Sequence, residues 1–545
     1  MSFAKNLWAQ LWVWNDQAKA LLKAILTLNV MAIVTTAGSG SSGSEQEEGR
    51  LKSPPRAPTY TVPQKIGLVL GPSFFLLIKL FVEPAGMSAA AVSVLATVAW
   101  IATWWVTEAM PIPITSLLPI LLFPLQGVMD SGAVTANYGD TLIFLFAGSF
   151  MIALSMERWN LHKRVALSII HAVGTNPATI VLGFMAATAF LSMFISNTAT
   201  TMMMVPISLA VTKHVADSLK GDSAIDTTPG KFAFGTALML GTAYSATIGG
   251  FGSIVGAPAN IILAGTVKTM YDVDISFARW MMFGVPIVAI LIPLVWLYLV
   301  KVAFPIKSKS IPGGRDIVKK DLDSLGKMSY EEKVVLAIFT LTGIAWITRG
   351  FILSKFIPGI DDALIALLAG ILLFMIPAKN ANGNIMDWNT AMKLPWGILW
   401  LFGGGLALAA GIMESGLDKW IGEQITAFGS LPLIVSIGLM ALVILILTEF
   451  TSNTATATMV YPIVAVAAAS LGTDPIILMV AANMAATFAY MFPVAAPPNA
   501  IVFGTGYVKM SKMAVTGFWL NLFSLVFTLI IVTYFVPLVF GGLIK

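Results

Sequence analysis

Residues 194–207 read FISNTATTMMMVPI, and residues 450–463 read FTSNTATATMVYPI. Each carries a Ser-Asn-Thr triad, first at Ser196, Asn197 and Thr198, then at Ser452, Asn453 and Thr454, 256 residues further on in a chain of 545. Both triads lie within long apolar runs, residues 178–213 and 431–471. An upright crossing of a bilayer takes roughly 20 apolar residues, so each run is long enough for two arms. Halfway along one overlong helix a polar triad would face lipid without partners, whereas at the turn of a hairpin it can face a cavity. We therefore expect two re-entrant hairpins.

The composition places the hairpins in a membrane protein. Mean hydropathy is +0.86, and 57% of residues are hydrophobic against 11% charged, where soluble domains approach about a quarter charged. With no cysteine, the chain has neither disulfides nor thiolate metal sites, and three scattered histidines (His162, His171, His214) do not make the usual zinc clusters. The net charge of +5 is ordinary for a protein whose basic residues gather in cytoplasmic loops, and is no sign of nucleic-acid binding. We expect an all-α polytopic membrane protein, not an enzyme.

Residues 1–64 read as an N-terminal interfacial or cytoplasmic segment ending in a flexible linker; a signal peptide is the alternative, poorly matched by the long approach MSFAKNLWAQLWVWNDQ. A first span follows within 65–88. Eleven apolar spans are expected near 66–82, 89–107, 112–125, 142–171, 233–265, 280–303, 333–351, 363–376, 396–413, 475–505 and 515–540, besides the two hairpins.

The triads belong to a larger duplication. Leu145-Phe146-Ala147-Gly148-Ser149 matches Leu401-Phe402-Gly403-Gly404-Gly405 at the same offset of 256. Ala257-Pro258-Ala259-Asn260 matches Ala496-Pro497-Pro498-Asn499 at an offset of 239, the difference being a longer loop in the first half. Three landmarks in one order define repeat one at 89–303 and repeat two at 333–545, joined by a linker at 304–332. That linker region is rich in Lys and Arg and the stretch 126–140 has none, which puts the first in the cytoplasm and the second outside. Five spans per half then invert the second copy, giving a cytoplasmic N-terminus, an external C-terminus and an inverted repeat of the kind that holds substrate near the midplane.

Ser, Asn and Thr are strong helix N-caps. At a hairpin tip each triad would cap the returning arm, and the helix dipole would favour an anion there. The amides of Asn197 and Asn453 and the hydroxyls of Thr198 and Thr454 remain as donors to a carboxylate. Two such tips suit the two ends of a short dicarboxylate. Residues 176–212 and 431–471 contain no Lys or Arg, so a small cation bound alongside would offset the buried anionic charge; hydroxyl, amide and carbonyl oxygens are hard ligands for one. Gly249 to Gly252, and Phe492-Pro493, break their spans and free carbonyls for the same purpose. Glu449 has Met193 as its counterpart; it reads either as a proton-linked group or as a structural carboxylate bonding nearby amides and hydroxyls.

With these paired motifs, residues 66–543 resemble the divalent anion:sodium symporter family, the INDY-type dicarboxylate transporters. The resemblance implies eleven spans with two opposed hairpins, a homodimer, and an elevator of scaffold and transport domains in a bacterial cytoplasmic membrane. It implies a substrate such as succinate, malate, fumarate or 2-oxoglutarate, bound by Ser196, Asn197, Thr198, Ser452, Asn453 and Thr454 with Pro258, Asn260, Pro497 and Asn499. It further implies one Na+ site at Ser192, Ser196, Asn197 and a Gly249 or Gly250 carbonyl. The second would use Thr448, Thr451 (mostly through its carbonyl), Asn453 and Ala495. Ala496 stands where many members carry Thr, which removes a hydroxyl near the substrate. Na+ symport leads, sodium-independent dicarboxylate exchange is the alternative, and an anion channel is a remote third.

Overall fold

The structure is a computed structural model and describes residues 60–82, 84–173, 176–219, 226–306, 314–427 and 432–543. Almost all of the expected N-terminal segment 1–64 lies outside the described residues. The fold is helical throughout. In chain order the principal helices of the first half are α1 (Val62–Phe81), α2 (Ala89–Thr107), α3 (Ile112–Thr115), α4 (Leu118–Leu125), α5 (Thr141–Arg158), α6 (Leu161–Val173), α7 (Pro177–Ser192), α8 (Asn197–Ser218), α9 (Ala233–Gly250), α10 (Pro258–Tyr271) and α11 (Phe277–Leu297). After α12 (Gly314–Ser324), the second half holds α13 (Tyr330–Thr348), α14 (Asp362–Met375), α15 (Trp396–Ser415), α16 (Leu417–Ala427), α17 (Leu433–Thr448), α18 (Asn453–Ser470), α19 (Pro475–Thr487), α20 (Pro497–Gly504) and α21 (Met510–Ile530).

Local sequence sets where these helices begin. Ser88, Asp140, Asn176, Ser276, Asp361 and Asp474 each accept a hydrogen bond from a first-turn amide of the helix that follows, the role their side chains have at an N-cap. Pro177 and Pro475 stand in the first turn, where a missing N–H costs nothing. Seven segments among the described residues are long and apolar enough to cross a membrane, from Val62–Phe81 to Met510–Phe540, and five shorter apolar helices accompany them.

Two expected spans are corrected. Residues 142–171 are two helices, because Trp159 and Asn160 turn the chain, Asn160 taking φ 58°. The second of them, α6, is amphipathic: Leu161, Ala166, Leu167 and Ile170 are buried while Lys163 and Arg164 are only half-buried. Hydropathy averaged over the run hides that change of direction. The same break recurs 256 residues on, where Gly416 at φ 74° separates α15 from α16. Residues 112–125 are likewise two short helices, α3 and α4.

Sequence-matched positions of the two halves pack in matching ways. Gly148 lies against the backbone of Ala366 in α14, and its counterpart Gly404 lies against Ser116, between α3 and α4; a Cβ at either would collide with backbone atoms. Phe146 and its counterpart Phe402 meet edge to face at 5.1 Å, which brings the two matched helices together at the centre of the molecule. The arms α7 and α8 both pack on α9, and α17 and α18 both pack on α19. The halves also exchange partners: α8 packs on α20, and α18 on α10. Each triad-bearing helix thus meets the broken span of the opposite half.

The candidate substrate and cation sites

Four residues join each pair of arms, Met193 to Ser196 and Glu449 to Ser452, and the triads open the returning helices at Asn197 and Asn453. Both triads are half-buried; Thr200 and Thr201 after the first and Ala455 to Thr458 after the second are buried. The two tips differ in capping. Ser196 Oγ accepts from Ala199 N at 3.2 Å, as expected. Ser452 makes no side-chain cap bond, so the expected cap at the second triad is corrected. Among the described residues the hydroxyls of Ser452, Thr198 and Thr454 have no protein partner.

Behind each tip the same side-chain pair recurs. Ser192 Oγ donates to Asn197 Oδ1 at 2.6 Å, and Thr448 Oγ1 to Asn453 Oδ1 at 2.7 Å. The broken spans repeat atom for atom as well. Asn260 Nδ2 donates to Gly250 O at 2.9 Å and Ser253 O at 2.8 Å; Asn499 Nδ2 donates to Ala489 O at 3.3 Å and Phe492 O at 3.2 Å. Both asparagines are fully buried. Pro258 is half-buried and Pro497 exposed at the starts of α10 and α20, so each Pro-x-Asn segment opens a helix and folds its asparagine back onto the preceding turn.

In the first half, three backbone oxygens converge beside Gly256. A Cβ built there would lie 2.5 Å from Gly250 O and 2.9 Å from both Met193 O and Ser192 O. A Cβ on Gly250 would strike Asn197 Oδ1, and one on Gly249 the backbone of Ala189. Glycine is therefore required where the broken span approaches the tip. Gly249 O itself accepts from Gly252 N at 2.8 Å.

In the second half the Asn453 amide has two orientations. In one, Oδ1 faces oxygens and Nδ2 donates to Thr487 O at 3.3 Å. Turned over, Nδ2 donates to Ala495 O at 2.9 Å, Thr448 Oγ1 at 2.7 Å and Ala486 O at 3.3 Å. An oxygen among oxygens is the surroundings of a cation ligand, and the turned amide satisfies the same oxygens without one. Thr451 Oγ1 is engaged by Leu447 O at 2.9 Å and Thr456 Oγ1 at 2.7 Å, which leaves its carbonyl for any ligand. Among the described residues no three His, Asp or Glu side chains gather. Both cradles consist of hydroxyl, amide and carbonyl oxygen, which fits Na+.

Glu449 has a structural position. Its carboxylate accepts from the amides of Tyr490, Met491 and Phe492 at 3.0, 3.1 and 3.2 Å and from Asn521 Nδ2 at 2.5 Å, holding the second broken span against α21. In the first half that work passes to Ser253, whose hydroxyl donates to Met193 O. Sequence reasoning missed Ser253, Asn483 and Asn521. A lone Asn in each apolar run, 475–487 and 510–530, was the available signal.

A helical membrane protein with two matched broken-helix sites, each lined by neutral oxygen, belongs among the secondary transporters. Residues 64–541 match the sodium:sulfate symporter transmembrane region, and the chain belongs to that family. It is 50% identical over 487 residues to the sodium-dependent dicarboxylate transporter SdcS of Staphylococcus saprophyticus, covering 89% of this chain and 93% of that one. The protein of the same name from Staphylococcus aureus strain USA300 is 49% identical over 486 residues, 88% and 93% of the two chains. Among solved structures, the Alcanivorax borkumensis YdaH transporter matches with TM-score 0.50 and 14% identity, over 76% of this chain and 88% of that one, a likeness of fold alone.

Proposed function

We propose that this protein is a secondary active transporter that carries C4-dicarboxylates such as succinate, malate or fumarate across a bacterial cytoplasmic membrane by Na+ symport. The observation that carries the reading is the pair of oxygen cradles behind two triads set in stretches, residues 176–212 and 431–471, that contain no Lys or Arg. A dianion at the tips needs positive charge beside it, and Na+ supplies it when bound. The sodium-dependent relatives favour symport over exchange.

In this reading Ser192, Ser196, Asn197 and the carbonyls of Gly249 and Gly250 hold one Na+. Thr448, Asn453 and the carbonyls of Thr451 and Ala495 hold the other. Thr198, Ser452 and Thr454, whose hydroxyls have no protein partner among the described residues, donate to substrate carboxylates with the Asn197 and Asn453 amides. Pro258 and Pro497 set the helix starts that border the substrate. Asn260 and Asn499 fix the wall by holding its carbonyls in place. The two repeats face the membrane in opposite senses, with the N-terminus and the 304–332 linker cytoplasmic and the C-terminus external. The protein works as a homodimeric elevator, the hairpins and broken spans moving as one body against the remaining helices.

Labelled succinate uptake into proteoliposomes tests this, with and without an inward Na+ gradient and with and without internal dicarboxylate. Na+-driven uptake into empty vesicles is expected. Uptake that ignores Na+ and requires internal dicarboxylate would overturn the symport reading in favour of exchange.

A further inference from the structure

A buried hydrogen-bond chain connects the two cradles. At the first, Asn260 Nδ2 holds Gly250 O and Ser253 O. Asn260 Oδ1 accepts from Asn483 Nδ2 at 3.0 Å, across 223 residues of sequence. Asn483 Oδ1 then accepts from Thr487 Oγ1 at 3.1 Å, and Thr487 O accepts from the Asn453 amide nitrogen at 3.3 Å in the orientation that leaves Asn453 Oδ1 toward a cation. Asn260 and Asn483 are 0% exposed and Thr487 3%. Such a network holds one arrangement because displacing any member leaves a neighbour unpaired away from water.

The chain has a partner running the other way. The counterpart of Asn483 in the first half, 239 residues earlier, is Tyr244, and its hydroxyl donates to Tyr490 O at 3.0 Å. Each half therefore sends one polar side chain from the first arm of its broken span into the broken span of the other. Neither of these side chains belongs to the proposed ligand sets. What they join is Gly250 O, a ligand oxygen on one side, and on the other the turn that brings Ala486 O and Thr487 O to Asn453 and runs on to Tyr490 O.

We propose that Asn483 is a positioning residue that couples the two cation sites, so that Na+ in one cradle favours Na+ in the other. The inference rests on the reading that both cradles take Na+. An ion that fixes Gly250 O also fixes the Asn260 amide that donates to it, and through Asn483 and Thr487 the turn behind Asn453. The second ion then meets a network already ordered, and linkage makes the effect equal in both directions. For a transporter this coupling suppresses half-loaded states.

The test is binding of radiolabelled Na+ to the purified full chain, read by scintillation proximity at fixed ionic strength in choline chloride. Wild type, Asn483→Ala and Thr487→Val are compared, with Lys231→Ala as a surface control. Wild type is expected to bind with a Hill coefficient between about 1.5 and 2, two sites setting the upper limit. Asn483→Ala is expected to bring the coefficient to about 1 and to raise half-saturating Na+ about fivefold or more, the lower end of common site-to-site coupling. Thr487→Val, which removes one hydroxyl at nearly constant shape, moves the same way and carries the test alone if Asn483→Ala does not yield monodisperse protein. A wild-type coefficient of 1 overturns the proposal. So do variants that keep the wild-type coefficient, including variants that merely lose binding capacity. Absence of saturable Na+ binding in wild type instead overturns the sodium reading, and this inference with it.

Discussion

At the residue scale the two halves use different side chains for the same geometry. Ser192 and Thr448 both present a hydroxyl to an asparagine oxygen, so the shared requirement is a small hydroxyl one helical turn before the triad. Asn197→Ala and Asn453→Ala each remove a ligand oxygen and an amide donor. Both are expected to cut Na+-driven succinate uptake by about tenfold to a hundredfold, the worth of a hydrogen bond to a charged group, with the melting temperature in detergent little changed. Uptake at the wild-type level in either variant would remove that asparagine from the site. Gly256→Ala would push a methyl group into three carbonyl oxygens. Its expected signature is a rise in the Na+ concentration needed for uptake, beyond the loss of about 1–3 kcal/mol that overpacking brings.

Glu449 is the residue whose role the sequence left open between a proton and a scaffold. Four donors aim at its two oxygens, an acceptor-only arrangement that suits a fixed carboxylate. Glu449→Ala would leave the Met491 and Phe492 amides and the Asn521 side-chain amide without their acceptor, while Tyr490 N keeps Asn521 Oδ1 at 3.2 Å; each orphaned donor is worth about 1–3 kcal/mol if it stays dry. We expect a clear fall in melting temperature, with Glu449→Gln intermediate because it keeps one accepting oxygen. A Glu449→Gln protein that melts like wild type yet does not transport would place the carboxylate in the transport cycle instead.

At the scale of elements, the triads look identical in sequence and act differently. Ser196 caps α8, whereas Ser452 leaves α18 without a side-chain cap. Ser196→Ala should therefore destabilise the protein by about 1 kcal/mol, and Ser452→Ala should leave stability unchanged, as thermal melting of the two variants would show. Equal losses would mean that both serines cap in solution. The difference was not legible, because an N-cap bond depends on a rotamer that the neighbouring helices select. The hairpins were legible to within a few residues, since a polar triad flanked by apolar arms has few other uses in a membrane. The break at Trp159–Asn160 was missed because averaging over the run 142–171 hides its polar stretch Glu157 to Arg164, where the backbone turns through one residue at positive φ.

At the scale of the whole molecule, the linker between the repeats is fastened to α6. Arg164 pairs with both oxygens of Glu332 at 2.8 and 3.1 Å and donates to the carbonyls of Leu325 and Gly326. The two side chains are 16% and 6% exposed, so the pair is shielded from the screening that makes surface ion pairs weak. Arg164→Ala is expected to cost about 2 kcal/mol. It should also speed proteolysis within residues 314–332; a cleavage rate equal to that of wild type would show that the linker is held by other contacts.

The sequence by itself determined that this chain is a helical membrane protein and that its two halves carry matching short stretches at the places where helices break. Those properties follow from hydropathy, from backbone groups that must be satisfied in lipid, and from residue types whose preferences act over a turn or two. Only the tertiary structure decided which oxygens meet. That Gly250 O, Met193 O and Ser192 O converge beside Gly256, that Glu449 holds a broken span rather than standing free, and that Asn260 finds Asn483 are pairings of groups distant in the chain. Such pairings are chosen by the packing of whole helices, because each buried polar atom has to find its partner wherever the fold brings one.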